Sequence, residues 1–422
     1  MKEGWRIKKL GEVCEVVTRG ITPKYVEEGG IQVINQKCIR DHEIDLEFAR
    51  LHDSRYKTVN RQRLIKFGDV LVNSTGTGTL GRVAQVKSNY DVPITVDTHV
   101  TIVRPLENLF FVEYFGYALI NIEEKIKNSG EGTSGQTELS KTKLQNEFYI
   151  PIPPLPEQQQ IVALLDEAFA AIDQAKANIE RNIRNARELF QSKLNEVFSG
   201  PAVSGAEDRG DGSASDESAA EGWVERKLGE VCEIVMGQSP SGASYNSEGI
   251  GIPLINGPVE FGARPFSETI KSKWTTEPTK LCQKGDLILC VRGSTTGRIN
   301  IAGFDACIGR GVAAIRYVKN QEWLNFFMRA NQKKIYDLGT GSTFPNVSSQ
   351  ILAKLEFPEA SLKQQISLVE AMKSLDLYTS GILELYKKKI QLLDDLKKSL
   401  LQKAFSGELT VFNHDLLDSK IS

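Results

Sequence analysis

The chain of 422 residues has no long apolar run. Nowhere do about 18 uninterrupted apolar residues occur, which is roughly what a bilayer-spanning helix needs. The opening, Met1 to Val17, mixes Lys and Glu with single apolar residues and lacks the basic, apolar and small-residue layout of a secretory signal. A cytoplasmic protein is expected. Six cysteines (Cys14, Cys38, Cys232, Cys282, Cys290, Cys307) form no C-x-x-C pair. The four histidines, His42, His52, His99 and His414, follow neither H-E-x-x-H nor H-x₃-H spacing. Neither a structural metal nor a disulfide framework is expected.

Motifs of catalysis are missing as well. There is no Asp/Asn-Pro-Pro-Tyr of the kind with which amino-group methyltransferases grip a flipped base, no G-x-S-x-G and no phosphate-loop lysine. The acids of Asp41-His42-Glu43-Ile44-Asp45 read as a solvated loop, since a nuclease needs carboxylates gathered around a metal. The expectation is a chain that catalyses nothing and itself binds no cofactor.

Charge of one sign is also lacking. The formal net charge is -2, whereas phosphate binding normally leaves a basic footprint. The average hides a local excess: the stretch 201–222 holds six acids (Glu207, Asp208, Asp211, Asp216, Glu217, Glu221) and one base, Arg209. Without that stretch and its net -5, the rest of the chain carries +3.

What the sequence does contain is a duplication. Gly4-Trp5 followed by Lys9-Leu10-Gly11-Glu12-Val13-Cys14-Glu15 recurs as Gly222-Trp223 followed by Lys227-Leu228-Gly229-Glu230-Val231-Cys232-Glu233. Later features repeat in order: Gly68-Asp69-Val70-Leu71 against Gly285-Asp286-Leu287-Ile288, then Gly81-Arg82 against Gly297-Arg298. Each copy continues through a Gly/Ser/Thr loop, Gly130 to Gly135 or Gly339 to Thr343, into a long helix ending in Val197-Phe198-Ser199-Gly200 or Ala404-Phe405-Ser406-Gly407. The repeating unit is a globule plus a helix.

Within each globule, short β-branched and apolar runs broken by Gly, Asn and Pro predict strands at Val70–Val72, Ile94–Val96, Val100–Val103, Leu287–Leu289 and Ala313–Ile315. Amphipathic stretches predict helices over Leu109–Ile126 and Gln321–Leu338. The cluster Pro151, Pro153, Pro154, Pro156 ends the first globule, and Pro156 suits the first turn of the helix that follows. From Glu157 to Phe198 there is no Pro or Gly. Apolar residues fall there in steps of three and four, at Ile161, Leu165, Ala168, Ile172, Ala175, Ile179, Ile183, Ala186, Phe190, Leu194 and Val197, as in a coiled-coil seam. The second helix, Leu362 to Phe405, carries Leu375, Tyr378, Ile382, Leu385, Leu392, Leu396 and Leu400 in similar steps, with Gly381 as a weak point. Each helix would run roughly 60 Å at 1.5 Å per residue. Two narrow seams favour antiparallel pairing of the helices with each other. Ser199 to Glu221, rich in Gly, Ala, Ser and acids, reads as a solvated linker.

The loops after the Gly-Asp strands are the candidate binding elements. Gly76-Thr77-Gly78-Thr79-Leu80-Gly81 matches G-x-G-x-x-G, yet a strand rather than a helix follows it. The second copy, Gly293-Ser294-Thr295-Thr296-Gly297, does not keep the pattern, so a dinucleotide site is not expected. Two readings stay open: plain hairpin turns, or loops that present small donors and a guanidinium to DNA. The second assigns DNA contact to Asn73, Ser74, Thr75, Thr77 and Arg82, and to Arg292, Ser294, Thr295, Thr296 and Arg298. Gly permits close approach, hydroxyls and amides bond phosphate, and Arg can fork onto guanine.

The combination resembles the specificity (S, HsdS) subunits of type I restriction-modification systems, over essentially the whole chain. The most specific marks are Ile150-Pro151-Ile152-Pro153-Pro154-Leu155-Pro156-Glu157-Gln158-Gln159-Gln160-Ile161 leading into a long helix, the Gly-Asp strand before a Gly-Arg loop, and Lys-Leu-Gly-Glu-Val at the start of each unit. In the second unit the proline-rich mark is degraded to Phe357-Pro358-Glu359-Ala360-Ser361-Leu362-Lys363-Gln364-Gln365-Ile366.

The resemblance implies an α+β chain of two tandem mixed α/β target-recognition domains, each followed by a long helix, the helices pairing as an antiparallel coiled coil about a pseudo-twofold. The expected parts are a first recognition domain, 1–156; a spacer helix, 157–200; the acidic linker, 201–221; a second recognition domain, 222–358; a second spacer helix, 359–407; and a tail, 408–422. It further implies double-stranded DNA with a bipartite site as ligand. Two modification subunits would carry S-adenosylmethionine, and restriction subunits would use ATP and Mg. The competing readings are a coiled-coil scaffold that only joins protein partners and a stand-alone methyltransferase. Duplication of the globules weighs against the first and the missing motif against the second.

Overall fold

The computed structural model describes residues 4–132, 137–199, 223–341 and 345–409. The expected linker 201–221, most of the tail, and part of each Gly/Ser/Thr loop lie outside the described residues. The chain divides into two compact units, one made of Met1–Ile179 with Lys388–Ser422 and the other of Glu180–Lys387.

The first unit opens with β1 (Arg6–Lys9), β2 (Cys14–Arg19), β3 (Tyr25–Val26) and β4 (Ile31–Ile34), followed by a hairpin of β5 (Ile39–Arg40) and β6 (Glu43–Ile44). Next come β7 (Arg50–His52), β8 (Val70–Asn73), β9 (Val83–Gln85), β10 (Ile94–Val96) and β11 (Val100–Pro105). Helices α1 (Val112–Asn121), α2 (Glu123–Asn128) and α3 (Lys141–Glu147), then β12 (Tyr149–Ile152), lead into α4 (Leu155–Phe198). An antiparallel sheet in the order β2-β11-β8-β9 lies beside a mixed sheet in the order β10-β4-β7-β3, while β1 pairs with β12. Strands β8, β9 and β10 are buried throughout, as expected of strands covered on both faces.

The second unit repeats this plan with β13 (Val224–Lys227), α5 (Leu228–Val231), β14 (Glu233–Met236), β15 (Tyr245–Asn246), β16 (Ile252–Ile255) and β17 (Trp274–Thr275). It continues with β18 (Leu281–Cys282), β19 (Leu287–Cys290), β20 (Ile299–Ile301), β21 (Ala306–Ile308) and β22 (Val312–Arg316). Then follow α6 (Gln321–Ala330), α7 (Gln332–Leu338), α8 (Ser349–Ala353), β23 (Glu356–Glu359) and α9 (Leu362–Ser406). The order β14-β22-β19-β20 reproduces β2-β11-β8-β9, and β13 pairs with β23 as β1 does with β12. Each stretch expected as one helix is broken in two, at Ile122 and at Asn331.

Each long helix starts on a buried glutamine. Gln158 donates to the carbonyls of Leu109 and Pro153 and accepts from the Phe111 amide, all within 3.2 Å. Gln365 donates to the carbonyl of Ala360 at 2.9 Å and to the Tyr317 hydroxyl at 3.3 Å. The degraded second mark therefore still works, because Ser361 and Gln364 bond reciprocally as a capping box.

The far ends of the helices are exchanged. Phe405, at the end of α9, joins the core of the first unit, and Phe198, at the end of α4, packs in the second unit against Trp323 and Phe327. In the first unit α4 and α9 run antiparallel, as the pairs Asp173–Lys397 (3.2 Å) and Lys176–Asp394 (2.7 Å) require. In the second, Arg329 ties the two helices to α6, with Nη1 2.7 Å from Asp376 and its guanidinium 4.2 Å from the Phe190 ring centroid.

The α4 seam buries Ile161, Leu165, Ile172, Phe190 and Leu194 as expected. The α9 seam needs correction. Tyr378, Leu385, Leu392 and Leu396 point to solvent, while Met372, Leu401 and Ala404 are buried and Leu393 packs on the core of the first unit. No described helix is long and apolar enough to cross a membrane.

Candidate nucleic-acid interface

The two Gly-Arg loops are built alike, and the reason each begins with a Gly-Asp strand is a buried ion pair. Asp69 accepts a fork from Arg104 on β11, with Nε and Nη2 both at 2.7 Å, and also accepts the Lys66 amide. Asp286 repeats this with Arg316 on β22 and the Gln283 amide. These acids lock the start of β8 and of β19 against the neighbouring strand. Both are buried.

At the other end of β8 the chain turns outward. Ser74 and Asn73 are fully buried. The Ser74 hydroxyl meets that of Thr101 at 2.5 Å, and the Asn73 amide donates to the Gln36 carbonyl at 3.0 Å. Their side chains brace the loop from inside. Thr75 is partly exposed and bonds His99 Nδ1 at 2.6 Å, while Thr77 is exposed. Arg82 reaches back toward the carbonyls of Ile39 and Gly78, both at 3.3 Å, with part of its side chain open to solvent. Gly81 (φ +86°) has the backbone of Lys127 in α2 2.8 Å from where a Cβ would stand, so a larger residue would push the helix away.

The second loop places its residues similarly. Thr296 is buried and donates to the carbonyls of Gly293 (2.8 Å) and Pro345 (3.0 Å). Arg292, Ser294 and Arg298 are exposed, Thr295 is partly so, and Gly297 (φ +87°) lies under the Gln332 carbonyl at the start of α7. Of the ten sequence-selected residues, burial thus leaves Thr75, Thr77, Arg82, Arg292, Ser294, Thr295 and Arg298 open to an outside ligand. Gln36 and His99 also contact the first loop, from distant positions that carry no local signal in the sequence.

The acidic stretch 41–45 forms a tight turn with Asp41 (φ 48°) and His42 (φ 64°) in the left-handed region. His42 pairs with Glu123 at 2.6 Å and Glu43 with Lys87 at 2.6 Å. Burial pushes the thiols of Cys14, Cys232 and Cys282 up to about 12 and that of Cys290 to about 11, so none is a thiolate nucleophile near neutral pH.

Residues 2–184 and 220–393 match the pattern of the Type I restriction modification DNA specificity domain. The chain belongs to that family. Both copies of the specificity domain include a globule and much of its following helix, which agrees with the repeating unit described above. A Methanocaldococcus jannaschii protein provisionally named the type I restriction enzyme MjaX specificity subunit is 26% identical over 419 residues, covering 97% of this chain and 94% of its own. The type I restriction enzyme MjaVIII specificity subunit of the same organism is 22% identical over 434 residues, with 97% and 94% covered. Among solved structures, a chain from work on complex assembly and conformational transition of the type I R-M system superimposes with a TM-score of 0.77 at 24% identity, covering 96% of this chain and 98% of that one. The HsdS subunit of Thermoanaerobacter tengcongensis gives a TM-score of 0.58 at 24% identity, with 97% and 98% covered. The fold of this specificity-domain chain is therefore that of the solved S subunits.

Proposed function

We propose that this chain supplies the DNA sequence specificity of a type I restriction-modification complex and performs no catalysis itself. Each recognition domain, 1–156 and 222–358, reads one half of a bipartite double-stranded site. The helices α4 and α9 hold the two readers at one separation and rotational phase. The observation that carries this reading is the exchange of helix ends: Phe198 belongs to the second unit and Phe405 to the first, so neither reader is complete without both helices.

Two modification subunits, bearing S-adenosylmethionine, dock on the helices, and restriction subunits using ATP and Mg join them. The solvent-facing apolar residues Tyr378, Leu385 and Leu392, seven apart on α9, support a protein partner there, since such a row is costly to leave in water. The loop residues Thr75, Thr77, Arg82, Arg292, Ser294, Thr295 and Arg298 contact DNA, while Asn73, Ser74 and Thr296 hold the loops in shape. This role calls for a cytoplasmic location. Inserting about one helical turn, four residues, after Ile179 in α4 and again after Lys387 in α9 should change the methylated spacer length and leave both half-sites as they were. Altered half-sites with an unchanged spacer would overturn the division of labour.

A further inference from the structure

The first unit carries a loop more basic than its counterpart in the second. From Arg50 to Lys66 stand six bases, Arg50, Arg55, Lys57, Arg61, Arg63 and Lys66, against one acid, Asp53. That acid is already paired with Arg55 at 3.1 Å. Among the described residues no ion pair joins Lys57, Arg61 or Lys66 to an acid. The near-neutral charge of the whole chain conceals this cluster.

The backbone of the loop is held in place. His52, fully buried, accepts the Lys24 amide on Nδ1 at 3.0 Å and offers Nε2 to the Lys57 carbonyl at 2.9 Å. The Asn60 side chain caps the turn Arg61–Arg63, and the Thr95 hydroxyl donates to the Arg63 carbonyl at 2.6 Å. On this scaffold the Arg55 side chain is 86% exposed, and Tyr56 stands 65% exposed beneath the Lys24 ammonium. In the second unit the position of His52 is taken by Thr275, by its pairing with Tyr245 and Ile252 where His52 pairs with Tyr25 and Ile31. The matching segment, Lys273 to Lys284, has three bases, Lys273, Lys280 and Lys284, and one acid, Glu277, a net +2 against the +5 of 50–66.

A largely exposed cluster of guanidinium and ammonium groups on a fixed backbone, with Arg55 alone paired to the loop's one acid, fits a polyanion, and a duplex offers one phosphate per about 1.7 Å of axis. We propose that the loop 50–66 of the first unit grips the phosphate backbone of duplex DNA independently of sequence. The corresponding segment of the second unit makes little such contact, so the two half-sites are held by unequal electrostatics. The proposal rests on the DNA-reading role above.

The test uses the full chain with Arg55→Ser, Lys57→Ser and Arg61→Ser together, bound to a random-sequence duplex over a range of KCl concentrations. Each lost phosphate contact lowers the magnitude of the negative slope of log affinity against log salt by about 0.9, so a fall in steepness of about 2 to 3 is expected. Lys280→Ser with Lys284→Ser should lower the steepness by less. The single variant Lys57→Ser, at an exposed position without an ion pair, should lower it by about 1 and keeps the test valid if the triple variant misfolds. Equal slopes for wild type and the Arg55, Lys57, Arg61 variant would overturn the proposal and leave the DNA-reading role standing. Failure of the wild-type chain to bind duplex at low salt would overturn both.

Discussion

Phe405, in the last turns of α9, sets its ring 5.0 Å from that of Tyr114 in α1, so the C-terminal helix completes the core of the N-terminal globule. Phe198 stands in the same relation to Trp323, with 4.7 Å between centroids. Phe405→Ala should destabilise the first unit by about 3–5 kcal/mol, as other buried Phe→Ala changes do. Chemical denaturation followed by amide exchange in 4–132 checks this, and protection there equal to wild type would refute it.

The Asp69–Arg104 fork is among the most deeply buried ion pairs described, with side chains 1% and 7% exposed. Arg104→Ala would strand the Asp69 carboxylate in the sheet and should cost about 3–5 kcal/mol. Arg316, with a side chain 22% exposed, can be replaced by water more readily, so Arg316→Ala should cost less. Urea midpoints of the two variants test the order.

The two classes of loop residue should separate experimentally. Thr296→Val removes a hydroxyl whose one proton is shared between two part-buried carbonyls and should lower stability by about 1 kcal/mol. Arg298→Ala, at an exposed position, should leave the melting temperature nearly unchanged and weaken binding of the cognate site by about 1–3 kcal/mol. Equal effects of the two on stability would contradict the assignment.

Acid stability should depend on Glu359. The Lys319 ammonium bonded to it, helped by the Tyr317 hydroxyl and Arg226, holds its carboxyl below the ordinary 4.5. A depressed acid stabilises the folded state above its unfolded value, and that contribution disappears as pH falls through the folded value. Glu359→Gln should therefore lower stability by a constant amount above about pH 5 and converge on wild type in stronger acid. Curves that stay parallel down to the acid unfolding point would argue against it.

Much of this architecture was legible in the sequence because it is written in local or repeated signals. Two tandem globules, the main strands and the long helices follow from register, β-branched runs and the proline cluster at Pro151–Pro156. What escaped depends on partners far apart in the chain. Tyr378, Leu385 and Leu392 look like a seam by spacing, yet the buried face is set by which side of α9 meets α4 and α1, and Met372, Leu401 and Ala404 occupy it. Asn73 and Ser74 look like surface donors, but the Gln36 carbonyl takes the Asn73 amide and Thr101 the Ser74 hydroxyl inside the fold. Ile122 and Asn331 break helices whose amphipathic pattern continues across them.

The two globules should be interchangeable as readers of half-sites. Replacing residues 223–359, from Trp223 through β23, by a second copy of 4–152 should, in cells supplying the modification subunit, produce a methylated site made of the first half-site repeated in inverted orientation. Methylation mapping of the whole genome would reveal that symmetry. Retention of the original, asymmetric site would contradict the account.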